Sequence, residues 1–325
     1  MKNWMFLAVS AALAMADSAA AAPQDCKLMR IEEWPVRLER DQPIIDGEIN
    51  GTKVGILLDT GAERSLMTRS AATRMMLPRY DVAASRMYAV VGSTPIEAVR
   101  IDELRIGAAM RRNWSVQLAG EQDFGSEVAL VLGEDFFSSV DVEFDLPNRA
   151  VRLYQPQDCE GVSLAYWAKD GAGEAALGAG ARTTFTVAVN GRQVRALLDT
   201  GAGVSVLSMS EAARFGVTPR SPGVATAGCS ISIGRKPVDY WSGPFESFAI
   251  GNEVIRNPTL RFADVPGNGS PAPSPFADLP QMVLGVDFLR AHRVLVSHSQ
   301  RKLYFTYSGG TVFPVGPTKG CQDLR

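Results

Sequence analysis

A stretch of 19 residues occurs twice in this chain. Residues 49–67 read INGTKVGILLDTGAERSLM and residues 189–207 read VNGRQVRALLDTGAGVSVL, with 10 of the 19 positions identical. The two copies align without a gap, and Asp59 and Asp199 stand 140 residues apart. A duplicated unit must form the same fold twice, and 325 residues leave room for two such units with separate cores. A duplication centred on an aspartate also suggests that the two aspartates work together.

The repetition continues beyond the quoted stretch. Each copy opens on an apolar strand followed by Asn-Gly (Asn50-Gly51, Asn190-Gly191), the strongest short-range hairpin signal. A strand ending in Leu-Leu-Asp follows, then a Thr-Gly-Ala turn, a short apolar strand and an Ala-rich helix, SAATRMML or SEAARFGV. Further on, each copy carries Val-Leu-Gly (131–133 and 283–285) leading into a short helix with Asp-Phe (135–136 and 287–288). Both copies close on a predicted hairpin, VDVEFDLPNRAVRLY and RVLVSHSQRKLYFTY. The expected fold is all-β: two tandem barrel-like lobes related by an approximate two-fold axis, with few short helices.

An aspartate at the tip of a tight turn is unremarkable alone, because turn aspartates are common. Two such turns facing each other across a two-fold axis would bring Asp59 and Asp199 together, with Gly61 and Gly201 allowing close backbone approach. Like charges that close cannot both ionise easily, so the pair would share one proton. One carboxylate could then act as base on a water while the other, protonated, polarises a carbonyl. The chain lacks HExxH, GxSxG and CxxC motifs, so zinc hydrolysis and Ser-His catalysis have no parts to work with.

On LLDTGA (57–62 and 197–202) and VLGxDF (131–136 and 283–288), the chain resembles the retropepsin-like aspartic proteases, in an exported bacterial form with two units in one polypeptide. The resemblance implies an endopeptidase with Asp59 and Asp199 as the catalytic dyad, a polypeptide substrate, and neither metal nor cofactor. It implies that Thr60 and Thr200 hydrogen-bond across the two active-site loops, supported by Gly61, Ala62, Gly201 and Ala202. Gly133 and Gly285 would let their strands pass closely beneath those loops. Hairpin flaps are expected at Ala89–Pro95, with Gly92, and at Ala225–Ile231, with Gly228. Ala62 and Ala202 cannot donate a side-chain hydrogen bond to the carboxylates, where pepsin-like lobes carry Ser or Thr. The pH optimum is therefore expected at about 5 to 6, above a pepsin's. The rival reading is a non-catalytic peptide-binding module of the same fold. A single-chain pseudo-dimer is favoured over pairing between two chains, because the linkage raises one copy's effective concentration for the other.

The remaining features set the context. Residues 1–21 have the layout of a cleavable signal peptide, which predicts a periplasmic or secreted protein. Export makes disulfides possible for Cys26, Cys159, Cys229 and Cys321, with three connectivities. Cys26 and Cys159 bracket the first copy and are the favoured pair, leaving Cys229 with Cys321. The lobes are expected at 30–155 and 182–308, with a flexible Gly- and Ala-rich linker at 156–181 and a tail at 309–325. A formal net charge of −2 offers no footprint for nucleic acid. Asp135 and Asp287 are read as helix N-terminal residues bonding backbone amides, and His292 and His298 as surface or packing residues.

Overall fold

The structure, a computed structural model, describes residues 25–88, 93–119, 124–125, 127–180, 182–231, 237–264 and 280–316. Each copy is built on a strand that the sequence makes apolar on both faces. Thr52–Leu58 ends in Ile56, Leu57 and Leu58, all fully buried, and runs parallel to Val128–Leu132, which is buried along its whole length. Leu66–Met67 lies antiparallel on the other side of Val128–Leu132. The chain therefore climbs one side of a central strand, turns at Asp59, and descends the other side. The second copy repeats the arrangement with Arg192–Leu198, Met282–Leu284 and Val206–Ser208. Burial of both faces explains why these strands read as continuous aliphatic runs.

The Asn-Gly pairs form the predicted turns, with Asn50 and Asn190 at φ 49° and 47° and the following glycines at 79° and 74°. Asparagine also has a second task there. Asn50 Oδ1 accepts the amides of Asp102 and Glu103 at 3.1 and 2.9 Å, and Asn190 Oδ1 those of Glu246 and Ser247 at 2.8 and 3.2 Å. Four short α-helices are present among the described residues. Two of them are capped by Thr68 and Ser208, whose hydroxyls accept from Ala71 N and Glu211 N.

A six-stranded sheet joins the lobes. Its strands run in the order Lys27–Pro35, Ala150–Gln157, Asp141–Asp145, His292–Ser297, Lys302–Tyr307, Gly173–Ala176. Three come from each copy, and the central pairing of Asp141–Asp145 with His292–Ser297 crosses the two-fold axis. The closing hairpins match closely, down to a left-handed arginine in each, Arg149 at φ 56° and Arg301 at 53°. Cys26 and Cys159 form a disulfide beside the edge pair of the first copy.

The linker expectation needs correction. Within 156–181, Gly173–Ala176 is a strand paired with Lys302–Tyr307, the second copy's counterpart of Lys27–Pro35. Upstream of it, Trp167 Nε1 donates to Thr306 Oγ1 at 2.8 Å, and the Tyr154 and Tyr166 hydroxyls bond at 2.6 Å. The glycine serves close packing, because a Cβ on Gly173 would sit 2.4 Å from Phe305 Cζ.

Candidate active site

Asp59 and Asp199 stand at the ends of the buried strands Thr52–Leu58 and Arg192–Leu198. Each turn folds back on its own carboxylate. Asp59 Oδ1 accepts Gly61 N and Ala62 N at 2.9 and 3.1 Å, and Asp199 Oδ1 accepts Gly201 N and Ala202 N at 2.9 and 3.0 Å. These bonds fix the two carboxyl planes, and each carboxyl lies against the glycine of the opposite turn.

The threonines lock the two turns. Thr60 Oγ1 donates to Leu198 O at 2.7 Å and accepts Thr200 N at 3.1 Å, while Thr200 Oγ1 donates to Leu58 O at 2.7 Å and accepts Thr60 N at 3.0 Å. Both side chains are buried, so these four bonds have no water competing for them. The glycines complete the fit. A Cβ on Gly61 would lie 2.4 Å from Asp199 Cγ, and one on Gly201 would lie 2.4 Å from Asp59 Cγ. Each glycine's missing side chain is filled by the opposite lobe's carboxylate.

Beneath the loops, a Cβ on Gly133 would meet Ala62 O and Arg64 C at 2.7 Å, and one on Gly285 would meet Ala202 O at 2.6 Å. Sequence reasoning missed the next layer. Asp135 Oδ1 accepts Ser65 N and Oγ at 2.8 and 2.7 Å, and Ser65 Oγ accepts Gly133 N at 3.1 Å. In the second copy Asp287 Oδ1 accepts Ser205 N and Oγ at 2.8 and 2.5 Å, and Ser205 Oγ accepts Gly285 N at 2.9 Å. The two aspartates thus clamp the chain leaving each Asp-Thr-Gly turn, rather than chiefly capping their own helices. The signal was present, since Ser65 and Ser205 are among the identical positions of the repeat.

Burial pushes both Asp59 and Asp199 above the ordinary carboxylate range. The charge of Asp199 raises Asp59 further, and the turn amides pull both back down. The pair titrates as a unit that holds one proton more readily than two free carboxylates would.

The other expected site residues fall as follows. Gly228 lies within the strand Ala225–Ile231, which pairs with Pro237–Pro244 in a hairpin; Gly92 lies outside the described residues, between the paired strands Arg79–Tyr88 and Ser93–Ile106. Cys229 is disulfide-bonded, and its expected partner Cys321 lies outside the described residues. His292 is buried, stacked on Phe288 at 3.9 Å and bonded through Nε2 to Glu253 at 2.9 Å, which makes it a packing residue. Among the described residues no group of three or more His, Cys, Asp or Glu is placed to hold a metal ion.

Residues 45–139 match the family described as gag-polyprotein putative aspartyl protease, and residues 185–288 match the family described as aspartyl protease. The chain is a tandem of two retropepsin-like aspartyl-protease units. No curated protein matches it. Each matched segment of this aspartyl-protease tandem contains one LLDTGA turn and the central strand beneath it, so the two segments divide the site evenly.

Proposed function

We propose that the chain is an exported aspartic endopeptidase with one active site, shared between the lobes, in which Asp59 and Asp199 activate a water. The observation that supports this reading is the pair of matched turns, each carboxyl bonded by two amides of its own turn and packed against the opposite glycine, with the turns locked together by the crossed threonines. With one proton on the pair, the ionised member takes a proton from a bound water as that water attacks the scissile carbonyl. The protonated member donates to the carbonyl oxygen, and the resulting gem-diol collapses as the leaving amine is protonated. No covalent enzyme intermediate is formed. An extended peptide would lie between the lobes as a strand, held by backbone hydrogen bonds. The paired strands Arg79–Tyr88 with Ser93–Ile106 and Ala225–Ile231 with Pro237–Pro244 would close over it as flaps.

The pH dependence follows from the raised pair. Activity requires the singly protonated form, so it falls as pH rises through the pair's upper titration. Because that titration is raised, activity persists to less acidic pH than separate carboxylates would allow. The optimum is expected at about pH 5 to 6. The test is digestion of a denatured protein mixture from pH 3 to 8 by wild type, Asp59→Asn and Asp199→Asn. Wild type should cut in mild acid and each single variant should be inactive. A single variant that retains activity overturns the shared dyad. Binding of peptides without cleavage by wild type favours the peptide-binding module instead.

A further inference from the structure

The two-fold relation breaks down beneath the two turns. Glu134 follows Gly133, and its backbone N donates to Ala62 O at 2.8 Å. Its side chain is buried between the lobes, where Oε1 accepts the Thr183 hydroxyl. Thr183 O in turn accepts Leu198 N at 2.9 Å, at the root of the second catalytic turn. Glu134 Oε2 has no hydrogen-bond partner, and it faces His298 Nε2 at 4.0 Å. The register of the Val-Leu-Gly strands and closing hairpins pairs Glu134 with Val286, Thr183 with Pro43 and His298 with Leu146. Three residues that are apolar and buried on one side of the axis are thus replaced on the other by an acid, a hydroxyl and an imidazole.

An unpaired carboxylate oxygen in such a place is costly unless it serves a purpose. We propose that Glu134 and His298 form a proton-operated latch between the lobes: one proton taken up between Oε2 and Nε2 removes the buried charge and closes a hydrogen bond across the gap. Losing that proton leaves a buried anion that loosens the junction under the catalytic turns. Burial pushes the Glu134 carboxyl up to about 7, with the Thr183 bonds opposing and the neighbouring Asp135 reinforcing the shift. Burial also lowers His298, against the pull of Asp141. Arg182 and Glu63 pair across the lobes beside Thr183 and Ala62. The latch therefore closes as the pH falls through about 7.

The sign gives the test, which does not depend on the chain being a protease. A group raised in the folded state adds no penalty below its ordinary value of 4.5, and its penalty is complete above about 7. Thermal unfolding of the full chain is followed from pH 4.5 to 8 for wild type, Glu134→Gln and Glu134→Val. Both variants keep the dyad, so its contribution cancels in the difference from wild type. The Tm of each variant relative to wild type should climb by on the order of 5 °C between pH 4.5 and 7.5, then level off. A difference that stays constant with pH overturns the latch and leaves Glu134 a packing residue. Should either single variant fail to fold, Glu134→Val/His298→Leu rebuilds the apolar pair found across the axis and carries the same comparison. Absence of proteolysis in wild type would sink the proposed function and leave this thermal result standing.

Discussion

Thr200 illustrates how much a single side chain can hold. Its hydroxyl donates to Leu58 O and accepts Thr60 N, both buried and both belonging to the other lobe. Valine has nearly the same shape and neither function. Thr200→Val should therefore cost on the order of 3 kcal/mol, since two buried backbone groups lose their partner at once. It should also lower kcat at least tenfold, because the separation of the carboxyls is no longer fixed. Denaturant unfolding and single-turnover kinetics check the two parts separately. The aspartates, threonines and glycines of the turns could be read from the sequence because the duplication prints them twice. Glu134 could not, because its partners Thr183 and His298 lie 49 and 164 residues further along the chain and have no polar counterparts in the other copy.

The strand Gly173–Ala176 was hidden in the sequence for a physical reason. A glycine that gives flexibility and a glycine that gives close approach are the same letter, and only the neighbour distinguishes them. At Gly173 the neighbour is the Phe305 ring. Gly173→Val should force that ring aside and detach the strand from Lys302–Tyr307, costing about 2–4 kcal/mol. Hydrogen exchange should then speed up in residues 173–176 and 302–307, with little change in the first copy. The strands leading into the two Asp-Thr-Gly turns were easier to read, since a continuous aliphatic run ending in Leu-Leu-Asp has few alternatives to a strand buried on both faces. Ser65 and Ser205 fall between these cases. They are identical in the repeat, but their partners Asp135 and Asp287 lie 70 and 82 residues away.

The lobes are held together by charge as well as by the shared sheet. Arg293 of the second copy donates to Glu143 of the first from Nη2 at 2.9 Å and Nε at 3.1 Å, and Nη2 also reaches the Tyr166 hydroxyl at 2.7 Å. Its guanidinium lies 4.6 Å from the Trp167 ring centroid, so the segment once expected to be a linker covers the pair. Glu143 is fully buried and also pairs with Arg152. Arg293→Met would leave Glu143 with less compensation than its burial needs, and should destabilise the chain by about 3 kcal/mol. The loss should appear at the lobe junction first, as a separate low-temperature transition in calorimetry. None of this network was visible beforehand, because a charged residue in a predicted hairpin reads as solvent-facing.

The break in symmetry beneath the dyad reaches further than stability. In a dimer of identical subunits every substitution occurs twice, and a two-fold site offers an incoming peptide the same surroundings whichever way round it lies. A peptide has an N-to-C polarity that such a site cannot read. Here the halves differ, with Glu134, Thr183 and His298 on one side and Val286, Pro43 and Leu146 on the other. Covalent tandem linkage frees each half to drift alone, and the buried layer beneath the two turns now has a left and a right.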